Sequence, residues 1–135
     1  MPAKLDTATK LTLELLPEVY VVCRLEPGAP APPWPTKGLF SVTRTPEELS
    51  VVCAEECAPE GATCQHGWRC LKVRGPLDFA LVGVLASLSA PLAASGVSIF
   101  VISTYDTDYL LVCEYELERA IAALERAGHK VIRGE

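Results

Sequence analysis

The sequence predicts an α+β protein made of two tandem modules, residues 1–67 and 68–135, the first with its helices reduced. Three observations predict it. Trp68 to Arg133 reads strand–helix–strand–strand–helix–strand. Phe40–Glu56 (FSVTRTPEELSVVCAEE) lies without a gap over Phe100–Glu116 (FVISTYDTDYLLVCEYE) at an offset of 60, with Phe40 over Phe100, Cys53 over Cys113 and Glu56 over Glu116. Finally, Pro27 to Pro35 holds five of the eleven prolines, so the first module has no helix there.

Each element has a local reason. Lys10–Leu16 alternates Thr and Glu with Leu, as a half-buried strand does. Glu18–Leu25 (EVYVVCRL) is a second strand, with Pro17 as the break between them. Leu39–Thr43 and Leu49–Ala54 are short strands around Arg44-Thr45-Pro46-Glu47-Glu48. Glu55–Gly67 is polar, cysteine-bearing and loop-like, and Trp68–Val73 returns to strand. Gly75-Pro76-Leu77-Asp78 supplies a turn and an N-cap, because the Asp carboxylate accepts from the orphan amides of a first helical turn. The apolar helix that follows, Phe79–Ala94, is kinked by Pro91 and ended by Gly96. Val97–Ser103 and Tyr109–Cys113 are strands. Glu114–Ala127 is an amphipathic helix with Leu117, Ile121 and Leu124 on one face, ended by Gly128, and His129–Arg133 is a last short strand. That order is the ferredoxin-like unit, an antiparallel sheet with two helices on one face.

Composition narrows the function. Half the residues are hydrophobic and 21% are charged, as in ordinary globular domains. A net charge of −5, with no basic run, argues against a nucleic-acid or anionic-membrane partner. Residues 79–105 carry no charge, but Gly83, Pro91 and Ser95-Gly96 interrupt them, so they read as a buried helix feeding a strand rather than a membrane span. Met1–Lys10 has no apolar signal-like core, and the expected location is the cytoplasm. No phosphate loop of GxxxxGK type, nucleophile elbow or HExxH motif occurs. The expectation is a protein without catalytic residues or cofactor.

With the duplicated unit, GPLDFALVGVLASLSAPLAASGVSIFVISTYDTDYLLV (Gly75–Val112) resembles the ACT-domain superfamily. The likeness is to the small bacterial tandem proteins related to aspartate kinase regulatory domains and to eukaryotic cytosolic arginine sensors. The resemblance implies binding of a free amino acid without catalysis, at a module or subunit interface, in a homodimer that signals to a protein partner the sequence does not name. In the arginine-sensing relatives a Ser-Thr-aromatic-x-x-Asp pattern helps to hold the ligand. Here it stands as Ser103, Thr104, Tyr105 and Asp108, with Gly83 aligning with a glycine that approaches the ligand.

The residue chemistry suits that role. Asp108 would pair with an ammonium, Thr104 would offer its hydroxyl and backbone, and the Tyr105 ring would cover an aliphatic chain or stack on a cation. The amides after Pro76 would meet the α-carboxylate, while Asp106 and Thr107 would shape the turn. The same chemistry also fits a solvated turn, since Asp and Thr are common in turns. The turn Arg44–Glu48 of the first module lacks the Tyr and the Asp, so one site per chain is expected.

Cys53, Cys57, Cys64, His66 and Cys70 form a C-x₃-C-x₆-C-x-H-x₃-C series, of which only the first spacing suits zinc. Cys53 and Cys70 lie in apolar strand runs and read, with Cys23 and Cys113, as small buried hydrophobes. Cys57 and Cys64 lie in the loop and are the pair expected to be either exposed or bridged under oxidation, and the sequence does not say which. A metal- or redox-responsive module using these residues is the alternative function, and a scaffold without ligand is a third. His66 and His129 read as surface or loop histidines.

Overall fold

The structure, a computed structural model, describes residues 10–35, 37–75 and 83–134. The strands are β1 (Thr12–Leu25), β2 (Ser41–Arg44), β3 (Leu49–Ala54), β4 (Thr63–Val73), β5 (Ile99–Ser103), β6 (Asp108–Cys113) and β7 (Lys130–Arg133). The helices are α1 (Val84–Ala94) and α2 (Leu117–Arg126), with single 3₁₀ turns at Glu55–Cys57 and Glu114–Glu116. The architecture is α+β, as expected. Among the described residues no helix is long and apolar enough to cross a membrane.

The expected modules are contiguous in sequence, whereas the two compact units are not. One comprises the chain up to Leu16 together with Cys70 onwards, and the other is Pro17–Arg69. The reason lies in β1. Its first residues run parallel to β7, with Leu13 opposite Val131, and Leu13 is fully buried in the C-terminal core. Its later residues, Tyr20–Leu25, pair with β3 instead. Pro17 falls between the two paired stretches and is exposed. A missing amide costs little there, so the strand runs through the expected break.

In the C-terminal unit the strands run β7, β1, β4, β6, β5, so β1 stands between the first and last strands of the ferredoxin-like order. Leu71 and Val73 of β4, Leu110 and Val112 of β6, Leu88 and Leu92 of α1, and Leu117, Ile121 and Leu124 of α2 form one core. Both helices end as the glycines foretold. Gly96 (φ 73°) donates to Ala93 and Val97 to Leu92, at 3.0 and 2.9 Å. Gly128 (φ 98°) donates to Glu125 and His129 to Leu124, at 2.9 and 3.0 Å. Each is a Schellman closure needing a left-handed residue. The expected cap at Asp78 and the first turn after Pro76 lie outside the described residues; α1 begins after Gly83, whose φ is 87°.

His129 corrects the sequence reading. It is 5% exposed, not a surface histidine. Its Nδ1 accepts from the Leu11 amide at 3.1 Å, so the proton sits on Nε2, which donates to the Ser87 carbonyl at 2.9 Å. In a regular helix the amide of residue 91 would satisfy that carbonyl, but residue 91 is proline and has no amide. The buried histidine replaces the bond that Pro91 removes.

In the N-terminal unit β1 pairs antiparallel with β3, and β3 with β2. Val21, Cys23, Leu49, Val51 and Cys53 form its small core. Fully buried Tyr20 donates its hydroxyl to Glu18 and accepts from the Leu39 amide, both at 3.0 Å. Gly38 lies against that hydroxyl, where a Cβ would come within 2.8 Å. β4 begins at Thr63, five residues before the expected Trp68. Its polar side chains there, at Thr63, Gln65 and His66, are exposed, so the stretch reads as loop by composition.

The two hairpins correspond to each other at a different offset. β2 and β3 pair with Arg44 opposite Leu49, and β5 and β6 with Ser103 opposite Asp108. Arg44 therefore matches Ser103, and 103 − 44 = 59. The 3₁₀ turns agree, since 114 − 55 = 59. The sequence alignment at 60 slipped by one residue, drawn by the Phe and Cys identities. A one-residue slip moves every side chain to the opposite face.

Candidate functional site

The turn between β5 and β6 is built by its two threonines. The Thr104 amide donates to the Thr107 carbonyl at 2.8 Å. The Thr104 hydroxyl donates to the same carbonyl at 3.1 Å and accepts from the Thr107 amide at 3.3 Å. Thr107 is 5% exposed, and its hydroxyl donates to the Val73 carbonyl at 2.7 Å. This bond pins the turn to the last residue of β4, where the chain leaves the sheet towards α1. Thr107 was expected to shape the turn, but not as its anchor to a neighbouring strand.

Where the turn meets the strands, Ser103 donates its hydroxyl to Asp108 Oδ1 at 2.6 Å. Ser103 is exposed and Asp108 half-buried, so one carboxylate oxygen is oriented by the serine. Among the described residues Ser103 is the only donor to that carboxylate. Tyr105 stands at the tip with its ring 81% exposed. The structure thus brings Ser103, Thr104 and Asp108 together. The Thr104 amide and hydroxyl are both spent on the turn, which leaves its carbonyl for any other contact. Gly83 starts α1, and the segment linking it to β4 passes through residues 76–82, outside the described residues.

The turn of the N-terminal unit shares this frame. The Thr45 amide donates to the Glu48 carbonyl at 2.9 Å, and the Thr45 hydroxyl accepts from the Glu47 and Glu48 amides at 3.2 and 3.1 Å. At the observed offset Pro46 matches Tyr105, and the Ser103–Asp108 pair is matched by Arg44 and buried Leu49. The same hairpin therefore forms without the hydroxyl–carboxylate pair. The offset of 60 hides this, because it sets Asp108 against Glu48, another carboxylate; the identities at 59, Thr45 with Thr104 and Glu55 with Glu114, are the signal for it.

The cysteines differ from expectation. Cys64 is joined to Cys23, not to Cys57, with Cα atoms 4.1 Å apart. Cys23 and Cys64 come together on neighbouring strands β1 and β4, which was invisible while residues 63–67 read as loop. Cys53 and Cys70 are buried, as their strand settings predicted, while Cys57 and Cys113 are half-buried. His66 is exposed and its Nδ1 lies 3.3 Å from Glu55 Oε2. Among the described residues no three His, Cys, Asp or Glu side chains converge as a metal site would need.

Comparison with known proteins fits this geometry. The family model of the ACT domain matches residues 63–126, and a model of an N-terminal domain matches residues 18–61. Residues 63–126 thus carry an ACT domain. It is similar to an Agrobacterium tumefaciens protein of known crystal structure, 36% identical over 94% of this chain and 96% of that one, with a TM-score of 0.88. It is also similar to the bovine (Bos taurus) cytosolic arginine sensor for mTORC1 subunit 1, 34% identical over 98 residues, or 64% of this chain and 30% of the sensor. The chain thus spans less than a third of that sensor's length. The regulatory subunit of aspartate kinase from Thermus thermophilus shares the fold, with a TM-score of 0.61 at 12% identity over 89% of this chain and 99% of that one.

Proposed function

We propose that this protein is a non-catalytic regulatory module that binds a free amino acid at the β5–β6 end of its C-terminal unit. Asp108 would take the ammonium or a cationic side chain, steadied by the bond from Ser103. The Thr104 carbonyl and the Tyr105 ring would contact the remainder, and Gly83 would let the ligand approach the start of α1. The observation that carries this reading is the comparison of the two hairpins. Arg44 and Leu49 build the same turn that Ser103 and Asp108 build, so the hydroxyl–carboxylate pair answers to something other than the turn. The likeness to an arginine sensor supports an amino acid as that something. A second copy of the chain would complete the site at a subunit interface, and ligand occupancy would be read out by a protein partner.

A thermal-shift screen against the twenty amino acids tests this. A ligand at 100 times its Kd stabilises by about 2.7 kcal/mol, so at least one should raise the melting temperature by several degrees. Asp108→Asn should abolish that rise with the unliganded melting temperature little changed. No rise with any amino acid sinks the proposal, and an undiminished rise in the variant moves the site elsewhere.

A further inference from the structure

Four of the six cysteines stand on or over one face of the N-terminal sheet. Val21 and Cys23 of β1 share that face with Leu49, Val51 and Cys53 of β3, in a register that sets Cys23 opposite Val51 and Val21 opposite Cys53. Cys57, at the end of the 3₁₀ turn after β3, and Cys64, near the start of β4, pack onto the same residues. Cys23 and Cys64 form the disulfide, and Cys53 and Cys57 are free.

The two free thiols are not equivalent. Cys53 is fully buried, and burial, reinforced by neighbouring Cys57, pushes its thiol up to about 11. It stays protonated at neutral pH and is a poor nucleophile. Cys57 lines a cleft of about 750 Å³ together with Leu25, Pro30, Pro33, Trp34 and Ala58. It is half-buried, and solvent reaches it through that cleft.

We propose that the N-terminal unit contains an internal thiol–disulfide exchange site, in which Cys57 attacks the Cys23–Cys64 bridge at Cys64. Cys57 Sγ loses its proton to water and bonds to Cys64 Sγ as the Cys23–Cys64 bond breaks. The electron pair leaves on Cys23 Sγ, which takes up a proton. No electrons enter or leave, so no outside oxidant or reductant is needed. Attack falls on Cys64 because Cys23 is only 1% exposed, while Cys64 is half-buried and stands at the start of β4, where the connection that carries Cys57 ends. The consequence is mechanical. The observed bridge ties β1 to β4 across a sequence separation of 41; its product closes only the short segment from Cys57 to Cys64 and releases β1. The loop pair that the sequence offers is thus the second state of the same site.

The test uses the full chain, incubated at pH 8.5 without added thiol, then acid-quenched, alkylated and mapped by peptide mass spectrometry. Wild type should yield Cys23–Cys64 and Cys57–Cys64 linkages, Cys53→Ala both, and Cys57→Ala the first alone. Reduction by dithiothreitol should be several-fold slower in Cys57→Ala than in Cys53→Ala, because the faster route through exchange is gone. A wild type holding only Cys23–Cys64, or no bridge at all, overturns the proposal, as do equal reduction rates in the two variants.

Discussion

Replacing His129 with phenylalanine tests how α1 tolerates its internal proline. The substitution keeps an aromatic ring in a site that is 5% exposed and removes two hydrogen bonds, from the Leu11 amide at 3.1 Å and to the Ser87 carbonyl at 2.9 Å. Leaving a buried polar group without its partner costs about 1–3 kcal/mol. Leu11 is half-buried and belongs at the low end, and Ser87, at 7% exposure, nearer the high end. The expected loss is about 3 kcal/mol, or roughly 10 °C in melting temperature for a chain of this size. The decisive measurement is a double-mutant cycle with Pro91→Ala by urea denaturation. Alanine restores an amide at residue 91 that reaches the Ser87 carbonyl from within the helix. His129→Phe should then cost about 1–2 kcal/mol less in the Pro91→Ala background than in wild type. Additive costs, within about 0.3 kcal/mol, would refute the idea that the histidine stands in for the missing amide.

Two further perturbations probe the two units. Thr107→Val removes the 2.7 Å bond to the Val73 carbonyl at nearly constant volume; it should cost about 1–2 kcal/mol in urea unfolding and speed amide exchange at residues 104–108, whereas Thr107→Ser should recover much of both. A variant with unchanged exchange would mean the turn does not depend on that anchor. Cys53 gives a pH dependence: its pKa rises from 9.0 to about 11 on folding, so its contribution is present below pH 9 and lost as pH climbs through about 11. The loss reaches roughly 2–3 kcal/mol. Cys53→Ala should flatten that alkaline slope in denaturation curves of the wild-type and variant proteins, and an identical slope in both would count against burial as its cause.

Local chemistry made much of the fold legible. The glycines after α1 and α2, the apolar face of α2 and the short apolar runs of β3 and β6 each specify an element within a few residues. What was hidden depends on partners distant in the chain. Pro17 breaks a strand only where its amide would be needed, and the strand's pairing decides that. His129 looks like a surface residue until Pro91 is seen one helix away. Residues 63–67 are polar because β4 is largely exposed there, at Thr63, Gln65 and His66, and such a polar half-strand has the composition of a loop. The cysteine pairing was missed for the same reason, since Cys23 and Cys64 meet only if both lie on neighbouring strands.

The repeat shows most clearly how register decides a functional reading. Aligned at 60, Asp108 falls on Glu48, and an acidic residue at that place in both hairpins would belong to the turn. Aligned at 59, as the strand pairs require, Asp108 falls on Leu49, whose side chain is fully buried. One position thus carries a leucine folded into a core in one unit and a half-buried carboxylate in the other. Because the backbone pairing and the threonine-bonded turn are the same in both, the geometry of the hairpin does not select the residue. In the first unit the core selects it. In the second, Asp108 faces a serine that orients it and keeps an oxygen free of bonds within the described residues. A carboxylate half removed from water is costly without a partner, and an ammonium group would supply that partner while relieving the cost. The proposal of a ligand carrying a positive charge therefore rests on the contrast between these two equivalent positions, and Leu49 is the control that the chain itself provides.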